Sequence, residues 1–94
     1  MKRTIYDDLL QEELSKITPL QRATYRLSDS IAERMEQIMK NKGISKKQLS
    51  ELTQRRPSEV TKWLSGSHNF TCKTIALISM ALGEELVSVT QVAR

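Results

Sequence analysis

Ser58, Thr61 and Lys62 stand three and four residues apart in the segment Pro-Ser-Glu-Val-Thr-Lys-Trp-Leu-Ser, residues 57–65. Wound as a helix at about 100° per residue, these three share one face with Ser65, while Val60, Trp63 and Leu64 share the other. A face of short hydroxyl side chains with one long cation has the chemistry of base edges in a DNA major groove. Lys can donate to guanine O6 and N7, Ser and Thr can donate or accept, and the Thr methyl suits the thymine methyl. Pro57 stands at the tip of such a helix and offers apolar contact only. The helix start also presents free N–H groups and a partial positive charge, which suit a phosphate. The candidate base-reading set is therefore Pro57, Ser58, Thr61 and Lys62.

Polar and cationic residues surround that set. Lys46 and Lys47 open the preceding segment, Arg55 and Arg56 lie just before Pro57, and Ser65, His68, Asn69 and Lys73 follow. These are candidates for contacts to the DNA backbone, which fix position and register but carry little sequence information. Charge is distributed accordingly. The whole chain is +4, residues 1–40 are net zero, residues 41–73 are +5, and residues 74–94 are −1. A localised basic segment is the electrostatic footprint of a polyanion binder, although a solvated basic surface without a partner has the same composition. Neutralising six phosphates would give a salt slope of log K of roughly −5.

The elements that must position these residues read as helices, with few turn signals in a chain of only three Gly and two Pro. Tyr6, Leu10, Leu14 and Ile17 recur at helical spacing and predict an N-terminal helix over 5–16. Thr18-Pro19-Leu20-Gln21 is a capping box with Pro at the first helical position. From there Ala23, Leu27, Ile31, Met35, Ile38 and Met39 form a stripe to Asn41, stopped by Gly43. The continuous rod is favoured over a break at Ser28-Asp29-Ser30. Ser45 and Gln48 box the next helix, 45–52, with Leu49 and Leu52 inward. Pro57 launches the following helix, and Gly66 ends it. Thr71 caps a nearly all-apolar helix through Leu82, ended by Gly83. Residues 86–91 alternate in a β-branched run, which reads as a strand. One strand alone has no backbone partners, so the tail is disordered, is helical, or pairs with the same strand of a second copy. The expected fold is all-α: a compact bundle of about five helices, with residues 1–17 an extension, 18–83 the main domain and 84–94 a tail.

Ninety-four residues supply one core, and 38% apolar content with four aromatic side chains makes that core aliphatic. Met35, Met39 and Met80 are expected as core filler and Trp63 as a core anchor rather than a base-stacking group. Cys72 has no partner for an internal disulfide. It is expected to be a small residue at a helix start, with a redox role the minor reading. His68, the only histidine, has neither the companions of a metal ligand nor a nucleophile to serve. No apolar run approaches the roughly 18 residues of a membrane span, and the opening Met-Lys-Arg-Thr-Ile-Tyr-Asp-Asp lacks the apolar stretch of a signal peptide. The expectation is a cytoplasmic protein that is not an enzyme, with no cofactor and no metal.

Lys46, Ser50, Gln54 and Val60 follow the spacing of a polar helix opening, a small residue, a turn residue and an apolar anchor. With Trp-Leu-Ser-Gly-Ser-His-Asn-Phe-Thr (63–71) and Ile-Ala-Leu-Ile-Ser-Met-Ala-Leu-Gly (75–83), residues 31–83 resemble the Cro/repressor-type (XRE) helix-turn-helix family. The resemblance covers over half of the chain. It implies a lambda repressor-like fold and a homodimeric repressor that binds double-stranded DNA at a near-palindromic operator, with base reading at Pro57, Ser58, Thr61 and Lys62. Two residues depart from the pattern. Gln54 stands where glycine is common, so a left-handed non-glycine residue is expected there. Arg56 stands where Ser or Thr commonly caps the reading helix, with Glu59 expected to reach back to its backbone. Residues 1–30 lie outside the DNA-binding pattern. In layout the chain is also similar to HigA-like antitoxins, which implies a toxin protein as the alternative partner. The plainer reading is that these residues thicken the core or a dimer interface.

Overall fold

Capping residues set most helix boundaries in the computed structural model, which describes residues 17–90. The first helix, α1 (Pro19–Lys42), starts at Thr18. The Thr18 side chain accepts from the Gln21 backbone N–H, and the Gln21 side chain accepts in turn from the Thr18 N–H. The helix runs unbroken through Ser28–Ser30 and stops at Gly43, which takes φ +68°. There the Gly43 and Ile44 N–H groups cover the last carbonyls, at Lys40 and Met39. The second, α2 (Lys46–Thr53), repeats the box with Ser45 and Gln48. The third, α3 (Pro57–Leu64), begins at its proline. The fourth, α4 (Cys72–Leu82), is capped by Thr71 and ended by Gly83 at φ +72°.

The described chain is thus all-helical, with four helices and no strand among residues 17–90. The helix expected over 5–16 lies outside the described residues. Residues 84–90 have no regular secondary structure, so the strand expected there is not formed within one copy.

A single core joins the four helices. Met35, Leu49, Val60 and Ile78 are fully buried, and Ile31, Ile38, Met39, Trp63, Leu82 and Leu86 pack around them. α2 packs against both α3 and α4, and α1 lies against α3. Three apolar residues expected inward are exposed instead. Leu27 is in line with Ile31 and Ile38 on the wheel yet 63% exposed, because the stripe of α1 runs on past the end of the core. Leu52 is 55% exposed, because α2 turns Leu49, Ser50 and Thr53 inward and so points Leu52 about 100° away. Met80 is 82% exposed, opposite the buried Ile78 and Leu82, so it is not core filler. The buried hydroxyl of Thr53 replaces Leu52 at the interface and donates to the Leu49 carbonyl at 2.8 Å.

Candidate nucleic-acid interface

The turn between α2 and α3 spans residues 54–56, and local bonds hold it tightly. The Arg55 N–H donates to the Ser50 carbonyl at 3.1 Å and the Gln54 N–H to the Glu51 carbonyl at 3.3 Å. The Ser50 hydroxyl donates back to the Arg55 carbonyl, closing the loop from the other side. A small buried hydroxyl at position 50 is thus part of the turn; its value in the sequence was visible as size, not as a donor. Gln54 adopts φ 56° and ψ 33°, and among the described residues it alone combines a side chain with positive φ. A left-handed non-glycine residue costs about 1–2 kcal/mol, partly offset by the freedom a glycine would have when unfolded. Gln54→Gly is expected to raise unfolding free energy by up to about 1 kcal/mol, which denaturant titration would detect.

α3 has two sharply different faces. Val60 is fully buried, Trp63 is 2% exposed and Leu64 is half-buried. Pro57, Ser58, Thr61 and Lys62, the candidate base-reading set, are all exposed. The Thr61 hydroxyl donates to the Pro57 carbonyl at 3.1 Å, so its proton is already committed to the helix. Ser65 donates to the Lys62 carbonyl at 2.6 Å, lies 3.2 Å from the Ser67 hydroxyl and accepts from the Ser67 N–H. Ser65 therefore finishes the helix as well as lying among the candidate backbone contacts. Next to it Gly66 takes φ +86°, and a Cβ there would sit 2.8 Å from the Asp29 carboxylate of α1. The backbone angle calls for glycine, whereas the Asp29 carboxylate is the end of an exposed side chain that can move aside.

At the start of α3, Arg56 makes no side-chain cap. The Glu59 carboxylate does not reach back to it. It pairs instead with Arg55 at 3.8 Å, one helical turn away. The missing acceptor leaves the helix start electropositive. Arg56→Ser would supply one, and is expected to stabilise the fold by about 1 kcal/mol, raising Tm by roughly 4–8 °C. The same change removes an exposed cation beside the candidate base-reading residues Ser58, Thr61 and Lys62; if those residues meet DNA, duplex affinity falls as Tm rises, and melting and titration of one variant check both.

The remaining cations are placed unequally. Lys46, Lys47, Arg56, Lys62 and Lys73 are exposed and in no ion pair among the described residues. Lys42 is occupied elsewhere, donating to the Leu82 carbonyl at 2.7 Å and pairing with Glu84 at 3.5 Å. It counts in the basic segment but acts as a strap between α1 and α4. Asn69 is exposed, whereas His68 is half-buried with its ring edge-on to Phe70, centroids 4.9 Å apart. Cys72 is exposed at the first residue of α4. Among the described residues no three His, Cys, Asp or Glu side chains are placed to hold a metal ion, and no helix is long and apolar enough to cross a membrane.

Fold and surface together define a small all-helical domain that presents one short amphipathic helix on a buried helical base. Comparison of the chain with family models, curated proteins and solved structures finds no match.

Proposed function

We propose that this chain is a sequence-specific DNA-binding transcriptional regulator, a repressor, in which α2 and α3 act as a helix-turn-helix of the Cro/repressor (XRE) type. One observation carries the reading: α3 is anchored by fully buried Val60 and Trp63 while Ser58, Thr61 and Lys62 face solvent beside an uncapped, arginine-flanked start. α3 enters the major groove, and Pro57, Ser58, Thr61 and Lys62 meet base edges. Lys46, Lys47, Arg55, Arg56, Ser65, His68, Asn69 and Lys73 grip the flanking backbone. Five unpaired cations set a salt slope of roughly −4 to −5. Two copies bind a near-palindromic operator, with α3 helices about 34 Å apart. The reading assigns no catalysis and no cofactor, and places the protein in the cytoplasm.

Selection of bound sites from a random duplex library tests this directly. The expected product is an enriched, near-palindromic motif whose half-sites lie about one helical turn apart. A library that emerges unenriched at low salt would end the proposal.

A second reading has its own observation. Leu20 and Leu27 continue the core stripe of α1 but are 76% and 63% exposed, so an apolar ridge extends beyond the described core. An antitoxin that holds a toxin protein through this half of α1, and represses its own operon through α3, would use both ends of the molecule. Co-expression with the product of an adjacent gene distinguishes the readings: a complex lost on Leu27→Glu supports the antitoxin, and no complex leaves the repressor alone.

A further inference from the structure

The three polar side chains that α3 exposes, Ser58, Thr61 and Lys62, differ in what they can still offer a ligand. A hydroxyl carries one proton and two lone pairs, whereas an ammonium carries protons only. The Lys62 ammonium is in no ion pair among the described residues, so it is a donor and nothing else. The Ser58 hydroxyl makes no hydrogen bond among the described residues, and it is free to present either its proton or a lone pair. Thr61 differs from both. Its hydroxyl donates to the Pro57 carbonyl at 3.1 Å, one helical turn back. With that proton committed, the oxygen of this exposed residue keeps acceptor capacity only.

The polarity decides which base edges suit Thr61. A base that requires a proton would have to take it from Pro57, exchanging one hydrogen bond for another with no net gain. A base that supplies a proton adds a bond and breaks none. In the major groove the base edges supply protons from two groups, the N6 amino of adenine and the N4 amino of cytosine. Guanine and thymine present the acceptors O6 and O4 instead.

We propose that Thr61 reads an exocyclic amino group, restricting one position of each operator half-site to adenine or cytosine on the strand that it faces. The inference rests on the DNA-binding reading of α3 and deepens it by naming the kind of base this residue selects. At guanine or thymine, two oxygens would face each other with no proton between them. Lys62 has the opposite polarity and suits the acceptors O6 and N7 of guanine. Neighbouring residues of α3 thus demand opposite kinds of base edge, and Ser58 demands neither.

Thr61→Val and Thr61→Ser make the test. Valine keeps the branched shape and a methyl group but has no oxygen, and serine keeps the oxygen but has no methyl group. Sites are selected from a random duplex library with the parent chain and with each variant, after thermal melting has shown that both variants fold. The parent is expected to favour adenine or cytosine over guanine or thymine at one half-site position by roughly fivefold, the worth of one hydrogen bond. Thr61→Ser is expected to keep that preference, and Thr61→Val to lose it while retaining the rest of the motif. On the selected duplex, putting purine for adenine, or pyrimidin-2-one for cytosine, removes the amino group. That change is expected to weaken the parent by the same factor and leave Thr61→Val unaffected. Three results would overturn the proposal and leave DNA binding standing: a parent motif without such a position, a Thr61→Val variant that keeps the preference, or a preference that serine loses and valine keeps. The last would assign Thr61 a methyl contact instead. A parent library without any enriched motif would overturn both readings.

Discussion

Trp63→Ala is expected to lower the unfolding free energy by about 3–5 kcal/mol. Domains of this size hold only about 5–10 kcal/mol in total, so the variant loses a large fraction of its stability. Trp63 is 2% exposed in the cluster with Met35, Leu49, Val60 and Ile78. α3 has eight residues, too few for a helix to persist on its own in water. Its conformation therefore depends on the two anchors Val60 and Trp63. Removing the larger one leaves a cavity that an eight-residue helix closes only by shifting. Thermal melting should show Tm lower by roughly 15–30 °C, together with reduced protection of α3 amides. An unchanged Tm would mean that the indole is not the anchor that its burial indicates.

Lys62→Ala is expected to change specificity rather than stability. Lys62 is exposed on the face opposite Val60 and Trp63, in no ion pair among the described residues, and near the middle of the reading face. A side chain that donates to guanine O6 and N7 contributes about 1–3 kcal/mol of discrimination at one base pair. On the proposed function, its loss should relax preference at that position in each half-site by roughly tenfold or more and leave the unfolding free energy within about 0.5 kcal/mol of the parent. Lys46→Ala makes the contrast. A phosphate contact carries no sequence information, so that variant should weaken all duplexes alike and reduce the salt slope by about 1. Parallel site selections separate the two patterns. Full retention of base preference in Lys62→Ala would show that the reading face is misassigned.

Much of the helical layout was legible because caps use distinctive residues. Thr18 with Gln21, Ser45 with Gln48, Thr71, Gly43 and Gly83 each perform a bonding task that few side chains can perform, and each sits where its type predicts. The left-handed Gln54 and the bare Arg56 were legible for the converse reason, as residues unsuited to their positions. Burial was read less well. Periodicity shows which side of a helix can go inward, not where the neighbouring elements stop covering it, so Leu27 was misplaced. The width of a buried stripe is equally invisible, hence Leu52 and Met80. Ion-pair partners depend on distant chain segments. Nothing local to Lys42 indicates that it binds Leu82 and Glu84, forty residues on.

The length of α1 has a mechanical consequence. Twenty-four residues make a rod of about 36 Å, yet its core-facing hydrophobic residues begin only at Ile31. The rod is buried at Ser28, and next to it the Asp29 side chain lies beside Gly66, just past the end of α3. An unbroken helix with no internal glycine or proline resists bending. A displacement of its N-terminal turns is therefore carried along the rod toward Gly66 rather than absorbed in a kink.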